Sequence, residues 1–398
     1  MPASTFGARP TLPRILSAIR KHMDMEVAFI SQVTEGRRFF RHVDTGDSGL
    51  ELHPGGSDPA EESYCLRVID GRLPELIPNA CLNAEALTLA ATRALPVGAH
   101  LSVPIRLADG DVYGTFCCFS RSPDASLTDR DLSVMRVFAE MVSDQIQQDL
   151  DDRNARRLVE DRVDAVLESG GLRMVYQPIV DVATNRVVAF ESLARFSAEP
   201  YRSPDVWFAE AALVGRSVEL EAMAIRTALA SLAQLPSSIY LTVNASPETI
   251  VKGALAEALL GLPVERVVVE VTEHQAIERY DDIADAIRPL QDQGLRIAID
   301  DAGAGYASFR HILNLHPHIV KLDISITRSI DSDRSRRALA AALCGFASET
   351  GCRIVAEGIE TEAELEVIRA LGIAKAQGYH LGRPVSLADA LGRLEAQS

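Results

Sequence analysis

Residues 295–309 read LRIAIDDAGAGYASF, an apolar run ending in two adjacent aspartates, Asp300 and Asp301, before a glycine-rich turn. Neighbouring carboxylates repel unless one is protonated or a cation lies between them. Taken alone, the pair fits a turn, where Asp is common and Gly303 and Gly305 supply positive φ. Other short apolar runs end the same way: Glu191 in VAFESLAR, Asn244 in IYLTVN, Glu270 in VVVEVT, Lys321 in IVKLD and Glu357 in RIVAE. Side chains alternate along a strand, so parity sorts each run into two faces. Ile297 and Ile299 oppose Ala298 and Asp300; Val267, Val269 and Val271 oppose Val268, Glu270 and Thr272. Ile239, Leu241 and Val243 oppose Tyr240, Thr242 and Asn244, and Val320 and Leu322 oppose Lys321 and Asp323. Glu191 shares its face with Leu193 and Arg195, Val355 with Glu357, and Val175 with Gln177. Each run therefore has an apolar face and a face that ends in a polar group. A single such carboxylate is a cap or a surface residue. Repetition over so many strands is hard to explain as structure alone, because buried charge is costly without partners.

The chemistry follows from the donor types. Glu191, Glu270, Asp300, Asp301 and Glu357 are carboxylates, Asn244 adds a neutral oxygen, and no His or Cys belongs to the set. Hard oxygen donors suit Mg²⁺ or Mn²⁺ rather than zinc. Two such ions about 3.5–4 Å apart are a standard arrangement for phosphodiester hydrolysis. Asp300 and Asp301 are expected to bridge or flank them. Lys321, the main cation of the set, is expected to orient the attacking water or stabilise developing charge.

Two kinds of element must carry these groups. From 171 to 398, short apolar runs alternate with helical stretches: RMVYQPIV, VVAFESLARF, IYLTVNAS, RVVVEVTE, LRIAIDD, HIVKLD, CRIVAEG and KAQGYHLG. Eight strands alternating with helices predict a (β/α)₈ barrel, which places its chemistry at the C-terminal ends of the strands. A doubly wound open sheet is the alternative, but its glycine-rich phosphate loop is missing. Residues 1–150 read as one α+β unit. It has a helix at LPRILSAIRKHM, strands either side of Glu35-Gly36, and a hairpin turning at Asp109-Gly110. From Ser126 or Thr128 no Gly or Pro interrupts a helical pattern that runs to about 168. Leu132, Met135, Val142, Ile146 and Leu150 form its apolar stripe, and 147–157 is mostly charged or amide. That pattern predicts a dimer-forming connector between domains, or else two helices that break near Asp151.

The bulk numbers set outer limits. The 398 residues suggest two domains or three, and 47% hydrophobic with 24% charged residues is ordinary for a soluble protein. A formal net charge of −16 argues against DNA binding, which needs a basic face, but not against a small anion held through metal ions. The start, MPASTFGARPTLPRIL, has no apolar signal core, and the longest apolar run, ALAAALCGF at 338–346, is too short for a membrane span. Cys65, Cys81, Cys117, Cys118, Cys344 and Cys352 show no CxxC or zinc spacing and read as reduced, mostly buried thiols. A cytoplasmic location is the expectation.

Residues 171–390 resemble the EAL-domain phosphodiesterases, which hydrolyse cyclic di-GMP to linear pGpG. The resemblance rests on YQPIV, ESLAR, VNAS, EVTE, DDAGAGYASF, KLD, AEGIE and AQGYHLGRP, in this order and spacing. It implies that Glu191, Asn244, Glu270 and Asp300 hold one metal, and Asp300, Asp301 and Glu357 a second. It implies a catalytic role for Lys321 at the water, an anchoring role for Glu273 toward the loop after Asp301, and a place for Gln377 near metal-bound waters. Gln177 and Arg195 resemble substrate contacts, Arg195 to a phosphate, with Asp323 and Glu360 as supporting residues. Two departures stand out. Ser192 replaces the middle residue of the eponymous tripeptide, on the helix-facing side, where little effect is expected. Ala302 stands where the family usually has Phe, and Ala304 and Ala307 replace small hydroxyl residues, with Ser308 retained. In the family that loop is linked to dimerisation and to control by the partner domain.

Residues 10–150 resemble a GAF sensory module, from LSVPIRLADGDVYGTFCCFS and the helix after it. Its ligand is left open. Cys65, His22, His42, His53 and His100 are of the type that holds a cofactor, but such residues are more often simply packed or exposed. GGSD at 55–58 reads as a turn, not a cyclase signature. The combined expectation is a homodimeric, cytoplasmic, metal-dependent cyclic di-GMP phosphodiesterase regulated by its GAF domain. The alternatives are a catalytically weak or inactive cyclic di-GMP receptor signalling through the connector, or an enolase-type Mg²⁺ barrel with Lys321 as base.

Overall fold

The structure, a computed structural model, describes residues 11–271, 279–302 and 306–397, and for Asp301 and residues 306–309 the backbone alone. Contacts divide the chain into two compact units, Met1–Ala155 and Arg156–Ser398.

The first unit is built on an antiparallel sheet. β1 (Val27–Thr34) and β2 (Arg37–Asp44) meet at Glu35 and Gly36, with φ of 52° and 72°. Two left-handed residues make the hairpin turn whose twist matches the strands it joins. β3 (Ser57–Pro59), β4 (Leu76–Ile77), β5 (Ala99–Arg106) and β6 (Val112–Ser120) complete the order β3-β2-β1-β6-β5-β4. One face packs Ile30, Leu101 and Phe116 against Leu16 and Ile19 of the helix Leu12–His22 and Met135 and Val142 of the helix Asp129–Ser169. The other face packs Phe29, Phe40, Tyr64, Cys65, Cys117 and Phe119.

The long helix is a single element, Asp129–Ser169, with Thr128 at its start donating from both N–H and Oγ1 to Asp131 Oδ2 at 2.8 Å. Its stripe of Leu132, Met135, Val142 and Ile146 is not a free dimer seam, because these residues are buried within their own unit. A helix laid on a sheet and a helix laid on another helix require similar apolar spacing, so periodicity does not choose between them. Residues 151–158 are exposed, and Val163 and Val166 are buried with Phe196 and Trp207 of the second unit.

The second unit is a closed barrel of the TIM type. Its strands are β7 (Leu172–Asp181), β8 (Val187–Phe196), β9 (Tyr240–Ala245), β10 (Val267–Val271), β11 (Arg296–Ala302), β12 (Ile319–Leu322), β13 (Arg353–Ala356) and β14 (Lys375–Gln377), closing in the order β10-β11-β12-β13-β14-β7-β8-β9. From β8 to β14 every pairing is parallel, but β7 runs antiparallel to both of its neighbours. A regular (β/α)₈ barrel would make all eight parallel. Here the link at 182–186, with Asn185 at φ 53°, is too short for a crossover, which needs a dozen or more residues, so β7 and β8 form a hairpin.

Strand parity divides the barrel into inner and outer layers. Leu241, Val243, Val267, Val269, Ile297, Ile299, Val320 and Leu322 face outward, under helices that contribute Ile225, Ile250, Ile283 and Ile287. Ile179, Ala189, Tyr240, Val268, Ala298, Ile319 and Val355 cluster inside and plug the barrel. Among the described residues, no helix is long and apolar enough to cross a membrane.

Candidate active site

The next inward residue beyond this plug is polar on strand after strand. Glu191 follows Ala189, Thr242 follows Tyr240, Glu270 follows Val268, Asp300 follows Ala298, Lys321 follows Ile319 and Glu357 follows Val355, each by two positions. Parallel register keeps them level: Glu270 lies beside Asn244 on one side and Ala298 on the other. Reversed β7 supplies Gln177, two positions before Ile179 and paired with Glu191.

Lys321 is 1% exposed and lies at the centre of this layer. Its Nζ is 2.7 Å from Glu270 Oε2, 2.7 Å from Glu357 Oε1, 3.1 Å from Asp300 Oδ1 and 3.7 Å from Glu191 Oε2. One ammonium thus faces four carboxylates. Burial pushes the Glu270 carboxyl up to about 8; Lys321 opposes this, and Glu191 and Asp300 add to it. Burial likewise raises Glu357 well above the carboxylate range, with Lys321 again opposing and the neighbouring acids adding. For Lys321, burial disfavours the charge, but Asp300, Glu191, Glu270 and Glu357 hold it well above its ordinary value.

Neighbouring groups fix the cluster. Gln377 Nε2 donates to Glu191 Oε2 at 2.5 Å, and Gln177 Nε2 donates to Gly382 O at 3.2 Å. Thr327 Oγ1 donates to Glu357 O at 2.5 Å. Buried Glu364 joins the loops after β12 and β13: it accepts from Ser329 N at 2.7 Å, Glu360 N at 2.8 Å and Thr361 N at 3.0 Å. Its sequence signal is the Thr361-x-x-Glu364 capping box at the start of the helix Glu362–Ala370, which the structure contains in full. Burial opposes the Glu364 charge, yet these backbone donors hold its carboxyl below the ordinary range. A lowered folded pKa contributes stability that is present above the ordinary carboxyl range and lost as pH falls through the folded value. Glu364→Ala should therefore cost about 1–3 kcal/mol at neutral pH. Thermal unfolding should show that deficit shrinking in acid.

Between β8 and β9 and the helices Pro204–Val214 and Ser217–Leu229 lies a cavity of about 520 Å³ that reaches the acidic layer only at Asn244. Met174, Phe208, Ala212, Ala224 and Ile225 form apolar walls, and Arg195, Asn244, Asp205 and Glu221 contribute polar groups. Asn244 belongs to this wall and, by register, to the acidic layer as the neighbour of Glu270. Ser192 also lines the cavity, and its hydroxyl donates to Thr242 O at 2.5 Å, so the departure from the eponymous tripeptide is satisfied by a main-chain acceptor. Arg195 Nη1 donates to Ala194 O at 2.7 Å. Asp323 caps the short helix Ile324–Thr327 by accepting from Ser325 N at 2.8 Å, and exposed Glu360 pairs with Arg328 at 3.5 Å. Thr272, Glu273, Gly303, Ala304 and Gly305 lie outside the described residues, as do the side chains of Asp301, Ala307 and Ser308. Ala302 is wholly buried in the outer core beside Leu322, its partner on β12.

Among the described residues, no three acidic, His or Cys side chains form a ready-made metal cage, since the carboxylates turn on Lys321. The donor chemistry nevertheless fits hard divalent ions. Every group is an oxygen donor, and Glu270 Oε1 is buried with no hydrogen-bond partner.

An EAL domain family model matches residues 159–384, more than half of the chain. The chain belongs to the EAL domain family. A GAF domain model matches residues 8–146, so the EAL domain follows a GAF domain. The EAL chain is 29% identical to a cyclic di-GMP phosphodiesterase of Escherichia coli (strain K12) over 262 residues, which cover 63% of this chain and 34% of that protein. It is 29% identical to a cyclic di-GMP phosphodiesterase of Pseudomonas aeruginosa over 231 residues, covering 54% of this chain and 38% of the relative. The matched stretches take in 31% to 38% of such curated relatives' own length. Among solved structures, the PaMucR phosphodiesterase in complex with c-di-GMP superposes with a TM-score of 0.53 at 26% identity, covering 58% of this chain and 99% of that one.

Proposed function

We propose that the EAL barrel hydrolyses cyclic di-GMP to linear pGpG with two divalent ions, Mg²⁺ or Mn²⁺. The observation that carries this reading is the buried Lys321 ammonium ringed by four carboxylates at the mouth of the barrel. The named function of the relatives and the c-di-GMP-bound neighbour support it. Glu191, Asn244, Glu270 and Asp300 would hold one ion, and Asp300, Asp301 and Glu357 the other. Bound there, the ions supply charge to the phosphate oxygens and lower the pKa of a coordinated water.

The chain's own groups do the rest. Lys321 presents positive charge where the phosphate gains negative charge. Gln377 fixes the orientation of Glu191 through its hydrogen bond. Arg195 and Gln177 address the substrate, and the cavity beside Asn244 takes a purine against its apolar walls. Glu273 anchors the loop after Asp301. Asp323 and Glu360 hold the rim, Asp323 through its helix cap. A homodimer in the cytoplasm, with the GAF domain controlling turnover, completes the reading.

The test is incubation of the full chain with cyclic di-GMP and Mg²⁺ or Mn²⁺, following pGpG by chromatography. We expect turnover that EDTA abolishes, and Arg195→Ala should raise KM about tenfold with a smaller change in kcat. Tight binding of cyclic di-GMP with no pGpG under either ion would select the receptor reading instead. The small, buried Ala302 beside the Asp301 loop is the observation that favours it. Light scattering that shows a monomer would remove the dimer.

A further inference from the structure

The GAF unit buries a polar cluster that the barrel chemistry does not use. Ser31, Cys65, Ser102, Thr115 and Cys117 are 0% exposed, and Arg38 is 4% exposed. Cys65 lies on the helix Tyr64–Ile69 and Cys117 on β6, and their sulfurs are 3.8 Å apart. Arg38 Nη1 donates to Cys65 Sγ at 3.5 Å and Ser31 Oγ donates at 3.4 Å. Cys117 Sγ lies 3.1 Å from both Ser102 Oγ and Thr115 Oγ1. Asp58 pins Arg38, accepting from Nε at 2.9 Å and from Nη2, and the guanidinium lies 4.4 Å over the Phe40 ring.

A buried guanidinium seldom adds stability over apolar packing. Placed beside a thiol, it favours the nucleophilic thiolate. Burial opposes ionisation of Cys65, but Cys117, Arg38 and Ser31 together hold its thiol well below the ordinary range. Burial and Cys65 push Cys117 the other way, so of the two sulfurs Cys65, beside the guanidinium, is the one favoured to ionise. A small cavity of about 20 Å³ lies on the far side of Arg38, lined by Arg38, Phe40, Tyr64 and His100 and by neither sulfur; it has room for a molecule of roughly water's size one residue away from Cys65. His100 Nδ1 is buried there without a hydrogen-bond partner.

We propose that Cys65 and Cys117 form a redox-active dithiol that a small hydroperoxide converts to an intrachain disulfide. The Cys65 thiolate attacks one peroxide oxygen. The S–O bond forms, the O–O bond breaks, and the departing hydroxide takes a proton to leave as water. The Cys117 sulfur then attacks the Cys65 sulfenic acid. The S–S bond forms, the S–O bond breaks, and the second hydroxide leaves as water with the Cys117 proton. Two thiols lose two electrons and two protons, and hydrogen peroxide becomes two waters.

Cys81, exposed on the same unit, is an internal reference. The fully reduced chain is treated with hydrogen peroxide, quenched over time, alkylated under denaturing conditions and mapped by mass spectrometry. We expect a Cys65–Cys117 cross-linked peptide, lighter by two hydrogens, to form at least about tenfold faster than Cys81 is consumed. Arg38→Met should slow cross-linking about tenfold and leave Cys81 unchanged. Cys117→Ser, which keeps the guanidinium in place, should trap Cys65 as a sulfenic acid that dimedone labels when it is added together with the denaturant. Oxidation of Cys81 while Cys65 and Cys117 survive as thiols would overturn the proposal. So would a disulfide to Cys118, or Cys117→Ser protein whose Cys65 takes no dimedone.

Discussion

Lys321→Met is expected to lower pGpG formation by at least about a thousandfold, the upper range for loss of a preorganised charge-stabilising donor. The same substitution should also unsettle the fold. Lys321 is the ammonium that Glu191, Glu270, Asp300 and Glu357 share, and methionine leaves these acids facing one another. Removing one partner of a buried ion pair costs about 3–5 kcal/mol. For a barrel of this size that is a fall in Tm on the order of 10 °C. The carboxylates can relieve the strain by taking up protons, so the loss should be largest at high pH and shrink as pH falls. Thermal unfolding in EDTA across pH, beside initial rates with Mn²⁺, measures both effects. Near wild-type turnover would remove Lys321 from the mechanism, and unchanged stability would mean that the four acids do not depend on it.

That layer was readable from the chain because a strand has period two. Once Val268, Ala298, Ile319 and Val355 are placed inward, Glu270, Asp300, Lys321 and Glu357 must follow on the same side, two residues on. Parity carries no information on strand direction. Direction came from the short link at 182–186, which makes β7 and β8 a hairpin and brings Gln177 level with Glu191. Nor does helical period name the surface a helix covers. The stripe of Met135 and Val142 suited a second helix equally well until the sheet of its own unit was in place beneath it. Glu364 shows a different limit. Its capping box lies in plain sequence, but the bond to Ser329, thirty-five positions earlier, exists only because β12 and β13 are neighbours. The cavity beside Asn244 likewise arises from packing between helices and strand ends, which no single stretch encodes.

Glu270→Gln should separate a metal ligand from a structural acid. Glu270 is completely buried, its Oε1 has no hydrogen-bond partner, and burial holds its carboxyl up at about 8. A group whose folded pKa lies above its ordinary value adds stability below the ordinary range and loses it as pH rises through the folded value. In the ion-free protein the Glu270 charge is therefore a liability at and above neutral pH. The amide keeps the shape and can still accept from Lys321, so in EDTA the variant should unfold no lower than wild type, and higher above pH 8. With Mg²⁺ or Mn²⁺ the order should reverse. Wild type should gain Tm by mass action on the folded state, and the variant, lacking a charged donor, should gain much less. Turnover should fall by about a hundredfold or more, since an amide oxygen is a weaker ligand for a hard cation than a carboxylate. If ions raise the Tm of both forms equally, Glu270 is not a ligand. If the variant is markedly less stable in EDTA, its ion pair with Lys321 is structural first.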